Sequence, residues 1–176
     1  MAAEETHPSS SADPGKKGRP RGSALQFALN RLARRAHSQG ELTAKMERAG
    51  FPTQQIEETL VKLIGWRYLD DRAFARSFAL SVVEHKRWGP ARVKVGLRQR
   101  GVSEEHIEEA LREAFPEGEN ATLERALTRF RRSNRRRGTA EQEKARAFRH
   151  LSGRGFSSAA IWEVLGKDNT GQETDF

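Results

Sequence analysis

Asp70 and Asp71 are the only adjacent aspartates in this 176-residue chain, and paired carboxylates can hold a metal ion or exchange protons with a substrate. No third ligand accompanies them, and an aspartate pair at a helix start has a simpler use. One carboxylate caps the first turn and the other adds negative charge at its positive end. His7, His37, His85, His106 and His150 stand in separate segments without metal-ligand spacing. There is no cysteine, and Gly50, Gly101 and Gly155 are isolated glycines, not a phosphate-binding loop. These residue types point to no catalytic group, no metal and no cofactor. Cations are the remaining chemistry. Lys and Arg total 32 against 24 acidic residues, a net charge of +8 and a pI near 10.4, which calls for an anionic partner. Arg125, Arg129, Arg132 and Arg136 follow one another at spacings of four, three and four, with Arg137 beside the last. Lys94 and Arg98 lie four apart, flanked by Arg87, Arg92 and Arg100. Such stripes can meet phosphates or an acidic protein surface, and composition does not separate the two.

The elements that carry these stripes follow from an internal repeat. Gly50-Phe51, then Ile56 and Leu60, returns as Gly101-Val102, Ile107 and Leu111, and again as Gly155-Phe156, Ile161 and Leu165. Four residues before each glycine stands Met46, Leu97 or Leu151, and eight before stands Leu42, Val93 or Ala147. Apolar positions four apart share a helix face, so each glycine closes a helix and a second helix follows the turn. Self-similarity at this period marks a tandem repeat of a supersecondary unit. Adding one helix before each pair predicts an all-α chain of three three-helix repeats over 23–67, 68–117 and 118–166. A basic, disordered segment is expected over 1–22 and a frayed end over 167–176.

Local signals agree with this division. Ser23 with Gln26, Ser38 with Glu41, and Thr139 with Gln142 have the spacing of helix-capping pairs. Leu25, Leu29 and Leu32 form the expected apolar stripe of the first helix, and Phe74, Phe78 and Val82 that of the fourth. Gly89-Pro90 breaks the chain and starts a helix, because proline is tolerated at a first helical position. Leu123, Leu127 and Phe130 are expected inside, leaving the arginine stripe of the same helix outside. Repeat three carries six excess positive charges, while repeat two is neutral. Trp66 and Trp88 fall at unit junctions, where packing is expected, not stacking on bases. No apolar run reaches the roughly 18 residues of a membrane span, and a cytoplasmic location is expected. In the first segment, Lys17-Gly18-Arg19-Pro20-Arg21 resembles the core of AT-hook peptides, but five residues are a short match and a solvated basic leader is the better account of them.

Tyr68-Leu69-Asp70-Asp71-Arg72-Ala73-Phe74-Ala75, Gly89-Pro90-Ala91-Arg92 and Leu97-Arg98-Gln99-Arg100-Gly101-Val102 together resemble the signature of the bacterial RecX regulatory proteins. Leu151-Ser152-Gly153-Arg154-Gly155-Phe156-Ser157 is similar to the ending of that family's third repeat. The resemblance implies an elongated, curved array of three three-helix repeats. It also implies a monomeric, non-enzymatic modulator of RecA recombinase, mainly negative. Such a protein lodges in the groove of the RecA filament on single-stranded DNA and restrains ATP hydrolysis and strand exchange. A general DNA-binding protein built from helical modules is the alternative, and a nuclease centred on Asp70 and Asp71 a remote one. No active site follows from the family, and Asp70, Asp71 and Phe74 read as fold-forming.

Overall fold

Capping side chains stand ahead of most of the short apolar stripes, and those caps are used. In the computed structural model, which describes residues 22–134 and 139–167, the described residues form nine α-helices and no strand. These are α1 (Ala24–Leu32), α2 (Gln39–Arg48), α3 (Thr53–Gly65), α4 (Asp71–Ser81), α5 (Pro90–Arg98), α6 (Glu104–Ala114), α7 (Asn120–Ser133), α8 (Ala140–Gly153) and α9 (Ser158–Lys167). The hydroxyls of Ser23 and Ser38 and the carboxylate of Asp70 accept from the backbone N–H groups of Gln26, Glu41 and Ala73. Thr139 and Gln142 cap each other reciprocally. The basic leader and the C-terminal end lie outside the described residues.

Helices pack in threes. α1–α3 enclose Leu42, Met46, Ile56 and Leu63; α4–α6 enclose Val93, Leu97 and Ile107; α7–α9 enclose Leu123, Leu151, Ile161 and Leu165. Burying each such side chain contributes about 1.5–3 kcal/mol before entropy is counted. Two stripes sit one position from where their large side chains place them. Ala24 and Ala28 are the buried residues of α1, and Ala75 and Ala79 those of α4, while Leu25, Leu29, Phe74 and Phe78 pack partly buried on either side. A small side chain at the centre of the contact lets two helix axes approach, and the larger ones flank it.

Hydrogen bonds to backbone groups join each set to the next. At the first joint, the Ser38 hydroxyl donates to the Arg100 carbonyl at 2.5 Å and the Gln39 N–H donates to Asp71 Oδ1 at 2.8 Å. At the second, Gly89 N–H donates to the Arg154 carbonyl at 2.8 Å and Ala91 N–H to the Gly155 carbonyl at 3.1 Å. Ser38 caps α2 and Gly89 caps α5, and both meet the arginine that precedes the turn glycine of the next repeat. The approach is close: a Cβ on Gly101 would lie 2.9 Å from Gly40 Cα, and one on Gly155 2.4 Å from the Arg92 nitrogen. Both turn glycines have positive φ, 71° and 85°, so they serve the turn and the joint together.

Candidate anion-binding cleft

The end of α4 departs from regular geometry and thereby builds one wall of a cleft. Val82–Lys86 forms a π-helical turn, an irregularity frequent at functional sites. It closes on Arg87, which holds the left-handed conformation at φ 52°. That conformation costs a non-glycine residue about 1 kcal/mol or more, and persists where packing enforces it. Here Val82 and Val83 are buried, and Trp88 lies edge-on to Phe78 at 6.2 Å. Gly96 sits beneath both rings, where an added Cβ would come within 3.1 Å of Phe78 and 3.3 Å of Trp88. The result places Lys86, Arg87 and Arg92 opposite Arg129 of α7, Arg149 and His150 of α8, and Arg154. Together with His85, Trp88 and Gly153 they line a cleft of about 720 Å³ across the second joint.

No carboxylate lines this cleft among the described residues. Two of its carbonyls accept from its arginines: Arg154 Nη1 donates to the Lys86 carbonyl, and Arg92 Nη1 to that of Gly153 at 2.5 Å. Arg154 Nε donates to His150 Nε2 at 2.9 Å. The Arg92 guanidinium lies 4.8 Å from the Trp88 ring centroid and Lys86 Nζ 5.1 Å from it, contacts that stabilise cations. Burial pushes the Arg154 pKa down, and the like charges of Arg92, Arg129 and Arg87 push the same way. A guanidinium remains protonated nonetheless, so the crowding of charge persists until an anion relieves it. Burial, then Arg154, lowers His150 as well, whose ring rests 4.7 Å from that of Phe130. Planar guanidinium forks suit oxyanions bidentately. The cleft thus gathers donors that suit an oxyanion.

The cationic surface continues along α7. A groove of about 1050 Å³ shares Arg87 and Arg129 with the cleft and adds Arg125, Thr128, Arg132 and Ser133, with Glu124 on its wall. Arg125 also faces Glu84 at 3.3 Å.

Of the cations singled out in the sequence, the structure brings Arg87, Arg92 and Arg129 into the cleft and places Arg125 and Arg132 on the adjoining groove. Lys94 and Arg98 lie elsewhere, on the face of α5 that meets α6. Lys94 pairs with Glu108 and, at 3.3 Å, with Glu104, which Arg98 also grips through two nitrogens. Arg98, then Lys94, holds the Glu104 carboxyl down to about 2. Arg100 belongs to the first joint, 3.4 Å from Glu41 and 4.4 Å over the Phe78 ring. Arg136 and Arg137 lie outside the described residues. Lys86, Arg149, His150 and Arg154 were not singled out, although Arg154 shares with Arg100 the position just before a turn glycine. The aspartates also divide their work: Asp70 caps its own helix, while Asp71 caps α2 of the neighbouring unit. Trp88 packs, but Trp66 is 53% exposed, against the expectation of a packed junction, and meets Tyr68 edge to face at 6.4 Å.

Models of the first and second three-helix domains of RecX match residues 24–63 and 70–111. The chain is 41% identical over 141 residues to the regulatory protein RecX of Thermus thermophilus, covering 80% of this chain and 89% of that one. To the RecX of Chlorobaculum tepidum it is 33% identical over 164 residues, covering 89% and 95%. A crystal structure of a regulatory protein RecX superposes with a TM-score of 0.72 at 24% identity, covering 82% of this chain and 71% of that one. RecX from Lactobacillus salivarius gives 0.66 at 19%, covering 82% and 93%; both show the shared fold. With its repeat, its joints and two relatives matched along most of their length, the chain belongs to the RecX family of regulatory proteins.

Proposed function

We propose that this chain is a non-enzymatic modulator of RecA, mainly negative, that binds the groove of the RecA–single-stranded DNA filament and restrains ATP hydrolysis and strand exchange. The observation that carries the proposal is the carboxylate-free cationic cleft held across a main-chain joint, in a member of a family of regulators. A filament of recombinase on DNA presents protein and phosphate together. Three units, over 23–67, 68–117 and 118–166, linked without slack can engage successive sites along it, so that modest contacts combine by avidity. Arg87, Arg92, Arg129, Arg125 and Arg132 are the contacts this function would use, with Lys86, Arg149 and Arg154. The protein acts as a monomer in the cytoplasm and needs no cofactor.

Purified protein added to RecA filaments on single-stranded DNA is expected to lower ATP turnover at substoichiometric amounts. Unchanged turnover together with unchanged strand exchange would defeat the proposal. A general DNA-binding role is the second possibility, favoured by the six excess charges of the third repeat. Tight duplex binding with a steep salt dependence, without RecA, would support it instead.

A further inference from the structure

The cleft lies at a joint where one position changes sign between repeats. Nine residues before the turn glycine stands Glu41 in the first repeat and Arg92 in the second; each is also the third residue after its helix cap, Ser38 or Gly89. Each faces the next repeat's pre-glycine arginine. Glu41 thus meets Arg100 and neutralises the first joint, whereas Arg92 meets Arg154 and leaves the second joint cationic.

We propose that the second joint is a nucleic-acid site, in which the phosphodiester backbone of a single strand enters the cleft against Arg154, Arg92 and Arg129 and runs on along α7 past Arg132. This deepens the proposal of filament binding, on which it rests, by naming which component of the filament the cleft takes. Three observations favour a phosphodiester over an acidic peptide. A peptide brings N–H donors that need acceptors, whereas the side chains lining the cleft are nearly all donors and the Lys86 and Gly153 carbonyls already accept from Arg154 and Arg92. A phosphodiester brings acceptors only. Crowding of like charge, with no carboxylate to relieve it, suits a ligand of regularly recurring negative charge. Finally, cleft and groove are continuous through Arg87 and Arg129, and on α7 Arg125 and Arg129 stand about 6 Å apart along the axis, so the track is longer than one phosphate.

The test is fluorescence anisotropy with a labelled thymidine oligomer and no recombinase, over a series of salt concentrations. Arg92→Glu copies the charge arrangement of the first joint, so it is expected to keep or raise the melting temperature while weakening strand binding about tenfold. Arg129→Glu/Arg149→Glu, at two exposed residues, is expected to weaken binding comparably, and the log-salt slope to fall by about 0.7 for each phosphate no longer neutralised. Lys94→Gln/Arg98→Gln is expected to leave affinity unchanged. Equal strand affinity in wild type and both cleft variants overturns the inference. So does a result in which those variants keep the strand but lose their effect on RecA ATP turnover, which would assign the cleft to an acidic protein surface. Strand binding that depends on the cleft, in a protein without effect on ATP turnover, would uphold the site and sink the filament role.

Discussion

The two joints between repeats share a backbone and differ in charge. In both, the capped start of a middle helix donates to the carbonyl of an arginine just before the next glycine turn, through Ser38 to Arg100 and through Gly89 to Arg154. At the first joint Glu41, its side chain 14% exposed, lies between Arg35 at 2.9 Å and Arg100 at 3.4 Å, and the Phe78 ring covers the Arg100 guanidinium. At the second, Arg92 replaces the carboxylate and Arg154 turns to a carbonyl and a histidine. Repetition therefore supplies the geometry, and a departure from repetition supplies the site. A neutral joint is a hinge pin. A cationic one, whose bonds run from backbone to backbone where the first joint uses the Ser38 hydroxyl and the Asp71 carboxylate, holds unrelieved charge at the surface.

The largest effect is expected where backbone meets backbone. A valine at Gly155 combines a positive φ with a Cβ 2.4 Å from the Arg92 nitrogen, and a destabilisation of about 3 kcal/mol follows from strain and overlap together. Gly101→Val meets Gly40 Cα at 2.9 Å and is expected to cost less, about 2 kcal/mol. Thermal melts by circular dichroism rank the two; equal melting temperatures would show that the joints are not packed to different tightness. Next comes charge. Glu41→Gln leaves Arg35 and Arg100 without their carboxylate, and about 1–2 kcal/mol of stability should go with it, allowing for partial solvent screening. If that variant melts like wild type, the first joint does not depend on neutrality. Asp71→Ala removes the acceptor of the Gln39 N–H and should cost about 1 kcal/mol, as loss of a helix cap does. Asp70→Ala should cost a similar amount within its own repeat; denaturant melts that separate the two would reveal whether cross-repeat caps matter more.

Much of the fold could be read from residues alone because its signals are local. Gly101 and Gly155 need left-handed backbone, Ser23, Ser38 and Thr139 need a helix behind them, and apolar residues four apart need one face. The site was read less well because its signals are not local. Lys94 and Arg98 share an exterior stripe of α5, yet their neutralising carboxylates, Glu104 and Glu108, come from α6, which the periodicity of one helix does not register. Arg154 has no stripe; it joins Arg92 and Arg129 only because two repeats meet there. The π-helical turn that aims Lys86 and Arg87 has no sequence signature. One signal was available: the charge nine residues before each glycine, Glu41 against Arg92, once the joint shows that this position faces the next repeat.

The smallest expected effect concerns the histidine at each joint. His37 is buried, its Nδ1 3.0 Å from the Arg35 carbonyl; burial pushes its pKa down, and the bond to that carbonyl and, less strongly, the Glu41 carboxylate push partly back. His150 is also pushed down by burial, but its charged neighbours across the cleft, Lys86, Arg87, Arg92, Arg129, Arg149 and Arg154, are all cationic. For a histidine whose folded pKa lies below its ordinary 6.5, the unfolded chain binds more protons between those two values. Stability then rises with pH through that window and falls on acidification. At His150 the sign is the same, so stability is lost as the pH falls from 6.5 toward its lowered folded midpoint. His150→Gln, which keeps an acceptor for Arg154 Nε, should flatten the dependence. A polyanion in the cleft changes the balance, because negative charge beside an imidazole favours its protonated form. In NMR titrations with the thymidine oligomer, the His150 midpoint should move up while that of His37 stays, and strand affinity should rise about threefold or less as the pH falls from about 7.5 to 6. A midpoint that moves equally at both histidines would place the strand at both joints, and the difference of one residue between Glu41 and Arg92 would then have no functional meaning.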